Sequence, residues 1–154
     1  MKKILFICLG NICRSPMAAG IFNKEAESQK INIKADSAGF ESFHIGDPAD
    51  KRALETCARH QIDISDHRAR LFKVSDFDEY DAILAMDHKN FKDAAYFARN
   101  KADQAKLHYV MDLITPGKRD SVPDPYLAEE EECDKVFHLL RKASQKFIET
   151  ENGK

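Results

Sequence analysis

Short apolar runs alternate with longer amphipathic segments along this chain. Lys3-Ile-Leu-Phe-Ile-Cys8 is apolar at every position after the lysine, the pattern of a strand buried on both faces. Gly10 and Asn11 break the run. Ser15-Pro16 then opens a helix with proline at its first position, continuing through Met17, Ala18, Ile21 and Phe22 to about Gln29. Ile31 to Asp36 reads as a second strand, Ser37 to Pro48 as loop, and Pro48 to about His60 as a helix with Ala49, Leu54, Cys57 and Ala58 on one face. Ile62 to Phe77 has no clean period and many charges, so it reads as loop with a short helical turn. Tyr80 to Met86 is a third buried strand, followed by a helix from about His88 to Asn100, and Leu107 to Leu113 is a fourth strand. A long loop from Ile114 to Pro125 carries Pro116 and Pro123. The last helix, about Leu127 to Thr150, repeats Val136, Phe137, Leu140, Ala143 and Phe147 at helical spacing.

Strands that alternate with helices in this way predict an α/β fold, a parallel sheet with helices on both faces. Ligands of such sheets sit beyond the carboxyl ends of the strands. Cys8 stands at the carboxyl end of the first. No repeat, low-complexity tract or linker divides the 154 residues, so a single domain, 1–154, is expected. No run approaches the roughly 18 apolar residues of a membrane span. Ile4 to Cys8 is too short for a signal-peptide core, and four cysteines without an export signal point to a reducing compartment, the cytoplasm. A formal charge of −2 gives no reason to expect nucleic acid as partner. Arg68, Arg70 and Lys73 form a basic stretch, and Glu129 to Glu132 an acidic run that suits the first turn of a helix.

Between the first strand and the first helix lies Cys8-Leu9-Gly10-Asn11-Ile12-Cys13-Arg14-Ser15. A loop that curls into a helix start turns backbone N–H groups inward, and the helix dipole adds positive potential. Gly10 permits close approach and unusual dihedrals, while Asn11 tolerates the left-handed conformation. Arg14 offers a planar fork matching two phosphate oxygens. The same field favours the thiolate of Cys8, the nucleophilic form, and Ser15 can donate a hydrogen bond to that sulfur as it departs. A Gly-Lys-Ser/Thr ending is absent, so the loop is not a nucleotide-binding P-loop. Thiolate attack on a phosphoester also needs a proton for the leaving oxygen and later a base for water. Asp124, in Val122-Pro-Asp-Pro-Tyr126 on the long loop after the fourth strand, is the candidate.

With these residues the chain resembles the low-molecular-weight protein tyrosine phosphatases. The resemblance rests on Cys8 to Pro16, Asp36-Ser-Ala-Gly39, His67-Arg-Ala-Arg70, Met86-Asp87 and Val122 to Tyr126, in matching order and spacing. It implies a three-layer, flavodoxin-like fold, with a four-stranded sheet ordered 2-1-3-4. It implies Cys8 as nucleophile, Arg14 as phosphate clamp and Asp124 as general acid and base. Leu9, Gly10, Asn11, Ile12, Cys13 and Ser15 complete the phosphate-binding loop, with Asn11, Ser15, Ser37 and His67 supplying its supporting hydrogen bonds. No metal or cofactor is implied. A reversible Cys8–Cys13 disulfide that shields the nucleophile is implied as well, although a small buried filler would equally account for Cys13. Cys57 and Cys133 carry no role.

The expected substrate is a phosphotyrosine-containing protein or a small phosphoester, taken by a monomer or weak dimer without membrane or nucleic-acid partners. The family often has a second tyrosine after Asp-Pro-Tyr, where this chain has Leu127, and often a tryptophan at the pocket rim, where it has Phe43. Tyr126 and Phe43, with Leu9 and Ile12, would wall a phenyl ring. Three alternatives stand beside this reading. Thiol-dependent arsenate reductases of this fold carry a redox pair after the third strand, and Asp81 to Asn90 holds no Cys. Protein-arginine phosphatases carry Thr where this chain has the bulkier Ile12, which ranks them, with small aryl or acyl phosphatases, second. A non-catalytic phosphate-binding module would need neither Cys8 nor Asp124.

Overall fold

A computed structural model describes residues 2–125 and 130–152. Four strands, β1 (Lys2–Ile7), β2 (Ile33–Ala38), β3 (Ala82–Ala85) and β4 (Leu107–Tyr109), form one sheet ordered β2-β1-β3-β4. Every pairing is parallel, with Phe6 opposite Ser37 on one side and Leu84 on the other. The central strands β1, from Ile4 on, and β3 are buried on both faces, as their apolar runs require, while the outer strands keep Lys34, Asp36 and His108 exposed. Alternation along β1 sends Ile4 and Phe6 into one core and Leu5 and Ile7 into the other. The first core is closed by α1 (Arg14–Ser28), α2 (Lys51–Arg59) and α6 (Glu130–Asn152), through residues such as Met17, Phe22, Cys57 and Phe137. The second lies against α3 (Asp76–Glu79), α4 (His88–Tyr96) and α5 (Lys101–Ala105), with Phe72, Phe77 and Ala94. The result is the expected three-layer architecture. No helix among the described residues is long and apolar enough to cross a membrane.

Several boundaries differ from the sequence expectation, each for a physical reason. The first helix begins at Arg14, so Pro16 occupies its third position, where its missing N–H is still no loss. β2 runs on to Ala38 because β1 offers partners that far, leaving less loop than expected after Asp36. The helix after β3 stops at Tyr96, and Asn100 starts a separate α5 by accepting from Asp103 N with its side chain. β4 ends at Tyr109, and Val110–Leu113 coils into a 3-10 turn instead of continuing the strand. Ile62 to Phe77 joins the sheet region through one bridge only, Gly39 to Leu71. The expected start of the last helix at Leu127 lies outside the described residues; its end at Asn152 is two residues beyond Thr150.

β1 and β3 are the central pair, and the connection from the carboxyl end of β1 runs to β2 on one side while that from β3 runs to β4 on the other. That divergence opens a crevice directly above Ile7, where the Cys8 loop begins.

Candidate active site

The loop from Cys8 to Arg14 is held by its carbonyls. Leu9 O accepts from Phe40 N at 2.8 Å and Glu41 N at 3.1 Å, and Ile12 O from Asp50 N at 2.7 Å. Asn11 O accepts from His67 Nε2 at 2.5 Å. A carbonyl can only accept, so His67 is protonated at Nε2. Each carbonyl is drawn outward, and in a trans peptide the following N–H points the opposite way. The N–H groups of Gly10, Ile12 and Cys13 therefore turn to the concave side, joined by the uncapped start of α1 at Arg14, where Cys13 supplies no side-chain cap. No described residue accepts from these four N–H groups. This is an oxyanion cradle made of backbone, backed by a 15-residue helix.

The left-handed residue of the loop is Asn11, with φ 57°. Gly10 does not share it, so unusual dihedrals are not the reason for that glycine. Space is: a Cβ at Gly10 would stand 3.2 Å from His44 Cδ2.

Asn11 is fully buried, and its side chain ties three segments together. Its Oδ1 accepts from Arg70 N at 2.9 Å, which fixes the amide so that Nδ2 donates to Ser15 Oγ at 2.8 Å. Ser15 Oγ, accepting there, has its own proton to give, and Cys8 Sγ lies 2.9 Å away. A directed chain of donors thus runs from the Arg70 backbone to the sulfur. Of the two thiols lining the cavity, Cys13 is pushed up and stays protonated, first by its interaction with the Cys133 thiol and then by burial.

Arg14 is nearly buried and fixed at one end. Its Nη1 donates to Asp87 Oδ2 and to Val122 O, both at 3.0 Å, while Nη2 lies 3.6 Å from Asp124 Oδ2. Val122 N in turn bonds Met86 O at 2.7 Å, so the segment that carries Asp124 is laced to the end of β3. Asp87 caps α4 through Asn90 N at 2.9 Å. The Asn90 side chain, wholly buried, is oriented to donate to Asp87 Oδ1 at 3.0 Å and accept from Leu9 N at 3.3 Å.

Cys8, Arg14 and Asp124 line one cavity of about 130 Å³, together with Leu9, Gly10, Ile12, Cys13, Glu41 and His44. Two expectations from the sequence differ from this geometry. Ser37 is buried in β2, and outside the sheet its bond is from its own N–H to Asp36 Oδ1 at 2.8 Å; no hydrogen bond from it reaches the loop. Phe43 is 86% exposed and lies outside the cavity lining, with its ring edge on His44 at 5.0 Å. The neighbour His44 takes the wall instead, because the 3-10 turn Ser42–His44 presents one side inward. Tyr126, the other expected wall, lies outside the described residues. Glu41, His44 and Asn90 join the site without having been singled out by any motif, and Asp87 joins it from the Met86-Asp87 motif, to which no role was attached. A second signal for Asp87, and the one for Asn90, is that Asp87 stands three residues before Asn90 at a helix start, a capping pattern.

A cysteine sulfur, inward-facing backbone N–H groups, an arginine fork and a carboxylate thus meet in one cavity at the carboxyl edge of a flavodoxin-like sheet, the set of groups that nucleophilic attack on a phosphoester would use. Residues 3–153 match the family described as low molecular weight phosphotyrosine protein phosphatase. The Homo sapiens low molecular weight phosphotyrosine protein phosphatase is 35% identical over 151 residues, covering 96% of this chain and 94% of its own. An Entamoeba histolytica protein tyrosine phosphatase, solved with Hepes in the active site, superposes with a TM-score of 0.90 at 32% identity over 99% of both chains. Wzb of Vibrio vulnificus, solved in complex with benzylphosphonate, gives 0.86 at 27% identity, covering 97% of this chain and 98% of its own. The chain belongs to the low molecular weight phosphotyrosine protein phosphatase family.

Proposed function

We propose that this chain dephosphorylates phosphotyrosine in polypeptides, with residues 3–153 acting as one catalytic domain. The observation that carries the reading is the donor chain Arg70–Asn11–Ser15 aimed at Cys8 Sγ inside a cradle that Arg14 and Asp124 also line. In the first step the Cys8 thiolate attacks phosphorus; the S–P bond forms, the P–O bond to the phenol breaks, and Asp124 gives its proton to the phenolic oxygen. In the second, Asp124 takes a proton from water as that water attacks phosphorus. The S–P bond breaks, Ser15 O–H stabilises the returning thiolate, and inorganic phosphate leaves. The inward N–H groups and the open face of Arg14 hold the equatorial oxygens through both steps. Neither step draws on a metal. Leu9 and Ile12 give the cavity apolar walls suited to a phenyl ring, which supports an aryl ester over a guanidinium phosphate.

The test is hydrolysis of an aryl phosphate and of a phosphotyrosyl peptide with chelator present. Cys8→Ser should be inactive. Asp124→Ala should turn over about 10² to 10⁴ more slowly while still being inhibited by inorganic phosphate. Residual activity in Cys8→Ser, or a preference for phosphoarginine over phosphotyrosine, overturns the reading.

A further inference from the structure

A cavity of about 130 Å³ accommodates a phosphorylated side chain and little more, so the rest of a polypeptide must lie across the surrounding surface. That surface is unusual. Five large apolar side chains stand exposed among the described residues: Phe43 at 86%, Ile45 at 54%, Leu71 at 38%, Tyr96 at 86% and Phe97 at 36%. Four of them flank the cavity mouth. Phe43 and Ile45 bracket His44, which lines the cavity. Tyr96 and Phe97 line a second cleft of about 420 Å³ that shares Leu9 and Glu41 with the cavity. Exposed apolar groups scattered at random need no explanation, but a cluster beside a binding site does.

The second cleft is built rather than loose. Phe40 and Phe97, in its lining, both pack on the buried Phe72, at 5.5 and 5.9 Å between ring centroids. Tyr96 stands edge-on to Phe97 at 5.6 Å. Its other cations and anions are mutually satisfied, Lys89 pairing with Asp93 at 3.2 Å. Glu41 makes no ion pair among the described residues, and its position on the ridge between cavity and cleft gives that ridge a negative charge.

We propose that the cleft formed by Leu9, Phe40, Tyr96 and Phe97 is a specificity subsite for the substrate polypeptide, seating an apolar side chain next to the phosphotyrosine, with Glu41 favouring a basic neighbour and rejecting an acidic one. The inference rests on the phosphotyrosine reading and adds the class of sequence that the site selects. Continuity through Leu9 and Glu41 makes the phosphotyrosine-bearing segment itself the occupant: a residue leaving the cavity over that ridge enters the cleft directly. Tyr96 lines this cleft and not the cavity that holds Cys8, Arg14 and Asp124, so its contribution is confined to the subsite.

The experiment uses phosphotyrosyl peptides with a single leucine moved in turn through the neighbouring positions on either side, against an all-serine peptide, with a small aryl phosphate as control. For wild type, leucine at one position should raise kcat/KM by roughly three- to tenfold, mainly through KM, the scale of one apolar side chain partly buried. Tyr96→Ser should erase that gain and leave the aryl phosphate unchanged, whereas Tyr96→Leu should keep it. Glu41→Lys should invert the preference between lysine and glutamate beside the phosphotyrosine. Equal rates for all peptides, or a gain that survives Tyr96→Ser, would overturn the subsite while leaving phosphotyrosine hydrolysis standing. Aryl phosphate turnover with no hydrolysis of any phosphopeptide would remove the phosphotyrosine reading and the subsite together.

Discussion

Replacing Asn11 separates the two jobs that its position performs. Asn11→Ala removes the bonds to Ser15 Oγ and from Arg70 N, worth about 1 kcal/mol each, and leaves the partly buried Arg70 N–H without that acceptor, up to about 1 kcal/mol more. It also forces an alanine to φ 57°, roughly 1 kcal/mol. Asn11→Gly loses the same bonds without the conformational strain, so it should be roughly 1 kcal/mol more stable than Asn11→Ala in urea unfolding. Catalysis should not follow stability. Without Asn11 Nδ2, nothing holds the Ser15 proton toward Cys8 Sγ, and a hydrogen bond to a charged group is worth about 1.5–3 kcal/mol. Both variants should therefore lose about 10- to 100-fold in kcat on an aryl phosphate. Ser15→Ala should lose as much, and adding it to Asn11→Gly should cost little more, since one chain of donors is already broken. If Asn11→Gly turns over like wild type, or if the two losses multiply, the sulfur does not depend on this chain and the reasoning fails.

Asp87→Asn should weaken inorganic phosphate inhibition and kcat/KM by about fivefold, because Arg14 Nη1 keeps Val122 O but loses a partly buried carboxylate; a change in thermal stability with no change in phosphate affinity would count against it. Gly39→Ala should destabilise by about 1–3 kcal/mol, since its Cβ would meet Asn11 Cβ at 2.8 Å and Leu9 O at 2.9 Å, both fixed; an unchanged Tm would refute the packing. Burial holds the His67 imidazole below its usual 6.5, against the raising effect of its bond to Asn11 O. The unfolded chain therefore binds the proton first as pH falls below about 6.5, so His67 lowers stability on acidification and contributes nothing at higher pH. His67→Gln should make urea stability fall less between about pH 7.5 and 5.5 than in wild type. Equal slopes would assign the acid sensitivity to His60 or His108, which are also held low by burial.

What is legible in the sequence is local. Apolar runs place β1 and β3, and the step from β1 into α1 places Cys8 at the crevice, because burial on both faces leaves a signature in consecutive residues. The strand order comes from resemblance, since periodicity says nothing of which strands are neighbours. Where contacts cross long stretches of chain, legibility thins. Asp87 and Asn90 are 73 and 81 positions away from the groups they bond, Arg14 and Leu9, and only folding brings them together. Likeness to a rim tryptophan makes Phe43 an expected wall. The 3-10 turn Ser42–His44 puts His44 on the cavity and Phe43 in solvent, a half-turn difference that composition cannot register. Ser37 is expected to support the loop by hydrogen bonding, but the parallel ladder pairs it with Phe6 and leaves contact with the loop to Ala38 O and Gly39.

These long-range contacts also explain why the octet from Cys8 to Ser15 cannot make the site alone. Its left-handed Asn11 is tolerable in a short peptide, but the outward pull on the Leu9, Asn11 and Ile12 carbonyls comes from Phe40 and Glu41, His67 and Asp50. Those three segments belong to the loops that follow β2 and α2 and to the start of α2, so the cradle's inward N–H groups are a property of the folded sheet edge. The cost of orienting them is met before any anion arrives, which is what lets a backbone cradle stabilise charge developing in a transition state instead of reorganising around it. The same logic places the specificity question outside the octet. The loop sets what chemistry is done, and the residues that hold its carbonyls, Phe40 and Glu41 among them, continue into the surface where the rest of the substrate must lie.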